Sequence, residues 1–415
     1  MARKIALISL VLVLVLGFLL GCTSPSPSPT APPTTTAPPA TTAPPATTAK
    51  PTTAPATTAA PPATTAAPSP APITKPIKFT YANPGAETSA QHYASSVKPY
   101  GEALSKLTNG MVTIEGHHAG SLLTYKDLSR GLASGIADLG YEHVSDDPGL
   151  FPVHTLSYLV TFGIRDSYHE TLLARILYDE FPEFYKEFQK NNIELLFFIA
   201  SGPHHAVLTK EAQTVADLKG RRVRAGGKYL PKFLAPSGLV AQEVSFGEVY
   251  EAMQRGVIEG AVSVPGAMRD AQWHKVTKYL LYIGVTPILP PQGLAINLDV
   301  WKGLPDSLKK IMLDEAYKSE KAFGKFQTGD DLAAAQLFVK EGMKEIRLTD
   351  AEMTNWKNQV PDILEDYIAD MKAINVDGAK IVARLKQLYA MSDSQLEVLF
   401  DKTWQDRIQR LMAMK

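Results

Sequence analysis

Cysteine is nearly absent from this 415-residue sequence, and Cys22 is the only one. That excludes an internal disulfide framework and any zinc site built on two or more thiolates. Asp and Glu are missing from the first 76 residues, whose only charged side chains are Arg3, Lys4, Lys50 and Lys75. The remainder holds 38 basic against 42 acidic residues, so the zero net charge of the whole chain becomes −4 for residues 77–415. A mildly acidic body lacks the clustered cationic face that nucleic acid requires. The common catalytic signatures are absent as well: no G-x-S-x-G elbow, no G-x-x-x-x-G-K-[ST] phosphate loop and no G-x-G-x-x-G after a strand. His169-Glu170-Thr171-Leu172-Leu173 comes nearest to H-E-x-x-H but lacks its second histidine. The pairs His117-His118 and His204-His205 are adjacent, so on regular structure their rings diverge instead of chelating one ion. Neither a metal, nor a cofactor, nor an enzymatic activity is expected.

What is present divides the chain. Arg3 and Lys4 precede an apolar run from Ile5 to Leu20, followed by Gly21-Cys22. A positive n-region, a short h-region and small residues before the cut describe a secretory signal. Sixteen apolar-run residues are few for a bilayer span, which needs about 20. Leu19-Leu20-Gly21-Cys22 resembles a bacterial lipobox, which implies lipidation of Cys22 and a lipid-anchored protein on the outer face of the cytoplasmic membrane. Residues 23–75 are almost entirely Pro, Thr, Ala and Ser, with no Gly and no aromatic residue. Such a stretch cannot bury enough apolar surface to offset its ordering entropy, and its prolines favour extended polyproline II. At about 3.1 Å per residue it is a disordered stalk reaching up to about 160 Å.

From Pro76 onward the composition is globular. Residues 77–81 alternate as a half-buried strand, Tyr93 to Leu107 recur at helical spacing behind Ser89 as N-cap, and strands are predicted at 111–114 and 136–140. This βαβαβ pattern predicts a mostly parallel sheet with ligand sites at the carboxyl ends of its strands. After a further strand at 194–199, a second unit shows capping boxes at Thr214/Asp217 and Ser245/Glu248 and strands at 222–225, 243–245 and 258–264. From Trp301 the chain is mainly helical, with capping boxes at Thr349/Glu352 and Ser392/Gln395. Two α/β units followed by long helices fit a two-lobed protein with a cleft between the lobes. The expected boundaries are signal 1–22, stalk 23–75, lobe I from 76–201 with 289–328, and lobe II from 202–288 with 329–415.

The richest stretch for chemistry is Asp217 to Gly227. Period-2 alternation puts Arg222 and Arg224 on one strand face, and Arg224 stands at the strand's carboxyl end before Gly226-Gly227. A planar guanidinium there suits bidentate carboxylate recognition, although spacing alone allows a surface ion pair equally well.

Four stretches carry a family resemblance: 107–112 with 119–122, 132–138, Asp217-Leu218-Lys219-Gly220 with Arg224, and Ser245 to Gly260. The sequence resembles the extracytoplasmic solute-binding proteins of TRAP (tripartite ATP-independent) transporters, dicarboxylate-binding type. The resemblance implies an α/β, two-lobed periplasmic-binding-protein-like fold with a ligand cleft between lobes and extra C-terminal helices. It implies that Arg224 clamps a small organic acid and that a sodium-driven TRAP permease of two membrane subunits receives it. Where sialic-acid-binding members carry a second arginine this chain has His204, and where many members carry Asn it has Ser263. That loss of donors makes a dicarboxylate less secure than a monocarboxylate, with His204 available as a donor. From the first lobe the expected contacts are Asn83, Tyr141 and His143, and Phe246 is expected as an apolar wall. Hinge crossings are expected near 199–203 and 286–290, marked by Pro287, Pro290 and Pro291. The helices beyond Leu332 either cover the second lobe or make a homodimer contact. The rival readings are a receptor for an ABC importer or sensor kinase, and a surface-anchored hydrolase.

Overall fold

A computed structural model describes residues 73–144, 147–158, 160–161, 165–287, 289–290 and 292–415. The expected signal, Cys22, the stalk as far as residue 72, and Pro291 lie outside them. Twelve strands are formed among the described residues: β1 (Ile77–Ala82), β2 (Val112–His117), β3 (Leu139–His143), β4 (Val160–Thr161), β5 (Ile193–Phe198), β6 (His204–Leu208), β7 (Arg222–Arg224), β8 (Val240–Gln242), β9 (Gly260–Ser263), β10 (Tyr279–Pro287), β11 (Gln292–Asn297) and β12 (Lys344–Ile346).

Two sheets result. The first has the order β2-β1-β3-β11-β5 and the second β12-β10-β6-β9-β7-β8, with β4 paired to the end of β10. The expected parallel arrangement holds only through β2-β1-β3. Strand β11 returns from the second lobe and enters antiparallel to both β3 and β5, which makes the first sheet mixed. In the second sheet β7 is parallel to β8 and β9, whereas β6 runs against β9 and β10.

Three segments join the lobes. The chain leaves β5 for β6 through residues 199–203 and comes back from β10 to β11. The third is the 35-residue helix Asp306–Lys340, about 52 Å long at 1.5 Å per residue. Its first half places Leu308, Met312, Leu313 and Phe323 in the core of the first lobe. Its second half places Ala334, Ala335 and Phe338 against the second.

Local departures from the sequence expectations have local causes. The helix after β1 is broken, with a π-helical turn Ala90–Ala94 capped by Ser89 and an α-helix Val97–Leu107. The third strand starts at Leu139 and not at residue 136, because Gly135 is left-handed (φ 78°) and Ile136 turns out to solvent. The strand expected at 243–245 is β8, three residues earlier, held by the parallel register Arg222↔Val240. Thr214, Thr349 and Ser392 form capping boxes, whereas Ser245 makes no side-chain cap bond to the 3₁₀ turn Phe246–Glu248 that follows it.

The larger correction concerns residues 329–415, which were expected with lobe II. Strand β12 and helix Asp350–Gln359 do belong there, and Trp356 packs on Phe233. Helices Ile363–Ala373, Gly378–Tyr389 and Asp393–Met412 instead bury Tyr367, Leu385, Phe400, Trp404 and Leu411 in the core of the first lobe. A helical apolar stripe records that a face is buried and leaves open which surface buries it.

Candidate functional site

The strand directions create the site. Parallel β3, β7 and β9 present their carboxyl ends, while antiparallel β6 and β11 present their starts through the pairs His205↔Ser263 and His143↔Gln292. Side chains of both lobes therefore converge on one cavity of about 60 Å³. Tyr141, His143, His204, Arg224, Phe246 and Ser263 all line it. The seventh expected residue, Asn83, does not. It is fully buried, accepts from the Gly85 N–H (2.9 Å) and bonds His118 Nδ1 (2.9 Å), so it holds the turn after β1. The chain passes on to the π-helical turn, which supplies Gln91 and His92 in its place, and Tyr125, Ser157, Ser201 and Gln292 add to the polar lining. Only Ser89 as an N-cap hinted at that turn in the sequence, and nothing there pointed to Tyr125.

Arg224 is the one permanently charged side chain among the described lining residues. Its Nε donates to the Val244 carbonyl (3.2 Å), and its guanidinium lies 5.8 Å from the centre of the Phe246 ring. A Cβ on Gly226 would come within 3.2 Å of its terminal nitrogen. The missing side chain of Gly226 thus makes room for the arginine itself.

Burial holds His92 and His204 neutral. Ser89 Oγ donates to Asp270 Oδ2 (2.8 Å) across the cleft, so it accepts from His92 Nδ1 (2.8 Å). Nε2 of His92 then accepts from the Tyr125 hydroxyl (2.5 Å), and the ring stacks on Tyr141 at 4.3 Å. Burial, helped by His143, takes the pKa of His92 down to about 3. Asp270 also accepts from the Ala90 N–H (2.9 Å) and is clasped by Arg269 (2.7 Å), which reaches Asp330 (2.7 Å). His204 Nδ1 lies 3.0 Å from the Gly202 carbonyl oxygen, and burial, opposed by that bond and reinforced by Arg224, lowers its pKa to about 4. The expected donor role of His204 is therefore already used on the backbone.

Behind the cavity, the 199–203 crossing rests on buried Glu170, with a second buried acid, Asp331, beside Gly202. Glu170 Oε2 accepts from the Ser201 (2.7 Å) and Gly202 (2.8 Å) N–H groups. Asp331 Oδ1 accepts from the Gly266 N–H and from Gln327 Nε2 (2.9 Å each). Burial raises Glu170 to about 8, against its two N–H donors and with the nearby Asp331 adding to it. Burial likewise raises Asp331 to about 7. Glu170 thus serves the crossing, and its neighbour His169 bonds Asp393 (2.8 Å), so the H-E-x-x-L stretch is structural.

Comparison with known proteins agrees with this geometry. The family described as bacterial extracellular solute-binding protein, family 7, matches residues 84–370. The chain belongs to that family. It is one of solute-binding receptors and not of enzymes, and solved structures similar to this chain are TRAP solute-binding proteins. A solute-binding protein of Albidiferax ferrireducens is 21% identical over 293 residues, 68% of this chain and 83% of the relative. A TRAP periplasmic solute-binding protein of Desulfovibrio salexigens, solved as an open complex, has 25% identity and a TM-score of 0.63, covering 75% of this chain and 95% of its own. A TRAP protein from an unidentified marine microbe, specific for aromatic acids and solved with 3-hydroxybenzoate, has 21% identity and a TM-score of 0.68, covering 76% and 99%. No helix among the described residues is long and apolar enough to cross a membrane.

Proposed function

We propose that this chain is a receptor that captures a small monocarboxylic acid on Arg224 by closing its two lobes and delivers it to a TRAP permease. The observation that carries the reading is a single fixed positive charge in a cavity walled by both lobes. One guanidinium neutralises one carboxylate, and a second carboxylate would lie among neutral imidazoles with no counter-charge, at a desolvation cost. The body carries a net charge of −4, so attraction for an anion is local to Arg224. The binding of 3-hydroxybenzoate by the marine relative supports the acid class. Size favours a compact ligand: a cavity of about 150 Å³ admits benzene, and the space here is about 60 Å³. An acid of a few carbon atoms fits at this lobe spacing, and an aromatic one needs the lobes further apart.

Closure is driven by contacts that exist only when the lobes meet. Ser89 and the Ala90 N–H on one side and Asp270 on the other make such a contact, joined to the cavity through His92 and Tyr125. The crossing at 199–203, with Gly202 left-handed at φ 84°, and the one before β11 act as the hinge. Lipidation at Cys22 anchors the receptor outside the cytoplasmic membrane, and the stalk lets the body sweep the space around the permease.

Thermal unfolding of the full chain in the presence of carboxylic acids tests the reading. An acid at about one hundred times its dissociation constant adds about 2.7 kcal/mol of stability. An absence of any shift across mono- and dicarboxylates contradicts it.

A further inference from the structure

Three lining side chains bond the carbonyls of the crossing that leads out of β5. Gln292 Nε2 donates to Ile199 O (3.0 Å), Gln91 Nε2 donates to Ala200 O (3.2 Å), and His204 Nδ1 stands 3.0 Å from Gly202 O. A carbonyl oxygen can only accept, so each side chain spends a hydrogen there. The two amides keep one N–H each for the cavity. The neutral imidazole keeps none, because its single proton is the one on Nδ1. Its Nε2 therefore carries a lone pair, and the ring's hydrogen bond among the described residues is the one at Nδ1. His204 lines the same cavity as Arg224 and lies near enough to feel its charge.

We propose that His204 is a specificity-determining acceptor, so that the ligand is a monocarboxylic acid bearing an O–H or N–H donor that reaches Nε2 while its carboxylate lies on Arg224. The proposal rests on the carboxylate reading above and narrows it. A keto oxygen or a second carboxylate oxygen at that place would set lone pair against lone pair. Both groups would then be withdrawn from water without a partner. A site built around one hydrogen bond rejects an analogue lacking it far more strongly than an apolar pocket rejects a missing methylene. A tautomer change offers no escape, since moving the proton to Nε2 would leave Nδ1 facing the Gly202 carbonyl. Protonating both nitrogens would place a second cation beside Arg224 in a partly dry cavity.

The test is calorimetric titration of the full chain with acids paired so that a hydroxyl in one replaces a keto oxygen in the other: lactate with pyruvate, 3-hydroxybutyrate with acetoacetate, mandelate with phenylglyoxylate. The hydroxy member is expected to bind at least tenfold more tightly. In His204→Gln, whose amide can donate as well as accept, the ratio is expected to fall to within about threefold while Arg224 still binds the acid. Nitrogen NMR of the unliganded protein is expected to show His204 Nε2 as an unprotonated ring nitrogen. Equal or tighter binding of the keto members, survival of the preference in His204→Gln, or a protonated Nε2 overturns this inference and leaves the carboxylate reading standing. If none of the six acids nor any other carboxylate binds, both are overturned.

Discussion

The core of the first lobe and the junction between the lobes bury acids in opposite ways. Beneath the C-terminal helices, Glu320 meets Arg175 in a two-bond pair (2.9 and 2.7 Å), and Arg407 reaches Asp179 and Glu194 (3.3 Å each). At the 199–203 crossing, Glu170 and Asp331 accept only from backbone N–H groups and an amide, and neither makes an ion pair among the described residues. Depth is the same, since Glu320 and Glu170 are both fully buried. Burial raises the carboxyl of both, and the partners differ in how they oppose it: Arg175 and Arg407 work against it at Glu320 by charge, whereas Glu170 has only backbone N–H groups and is carried to about 8.

The largest expected effect comes from breaking the paired region. Glu320→Ala strips Arg175 of its two-bond partner and leaves the buried charge facing only Asp179 at 3.7 Å among the described residues, and is expected to lower the unfolding free energy by about 3–5 kcal/mol in urea titrations. A loss under about 1 kcal/mol would mean that the pair is not the fixed element described here.

A smaller effect sharpens the contrast through pH. The carboxyl groups of Glu170 and Asp331 are raised on folding, to about 8 and about 7. Their contribution to stability is therefore full below the ordinary carboxyl range, near pH 4, and is lost as pH rises through about 7 to 8. Wild-type stability is expected to decline between about pH 6.5 and 8, and the Glu170→Gln/Asp331→Asn variant to show a flatter profile there. An unchanged slope would place the ionisation elsewhere. His92 and His204 act on the other limb. Their lowered pKa values, about 3 and about 4, remove stability as pH falls below about 6.5.

Legibility in the sequence followed the range of the interactions. Arg224 was readable because a strand end, a glycine pair and a family pattern coincide within eleven residues. The other lining residues named in advance stand at strand ends or in the turn after β8, where alternation and capping leave marks. Asn83 was misassigned because the turn it builds bends the chain away from the cleft, and the π-helical turn that replaces it has no sequence signature of its own. The tautomer of His204 was not legible, since which ring nitrogen donates depends on a carbonyl two residues away whose direction only the folded backbone fixes. The C-terminal helices showed their apolar stripes but not their surface, because Arg407 and Trp404 find partners more than two hundred residues earlier in the chain.

The most direct measurement is the dissociation constant of the tightest-binding carboxylic acid for the full chain and for Arg224→Ala, determined by calorimetric titration. Removing one partner of a desolvated charge pair costs about 2–5 kcal/mol, so binding is expected to weaken roughly 30- to 5000-fold with unfolding stability little changed. Binding within about threefold of wild type would contradict the account, since no other lining side chain could then be holding the acid by charge.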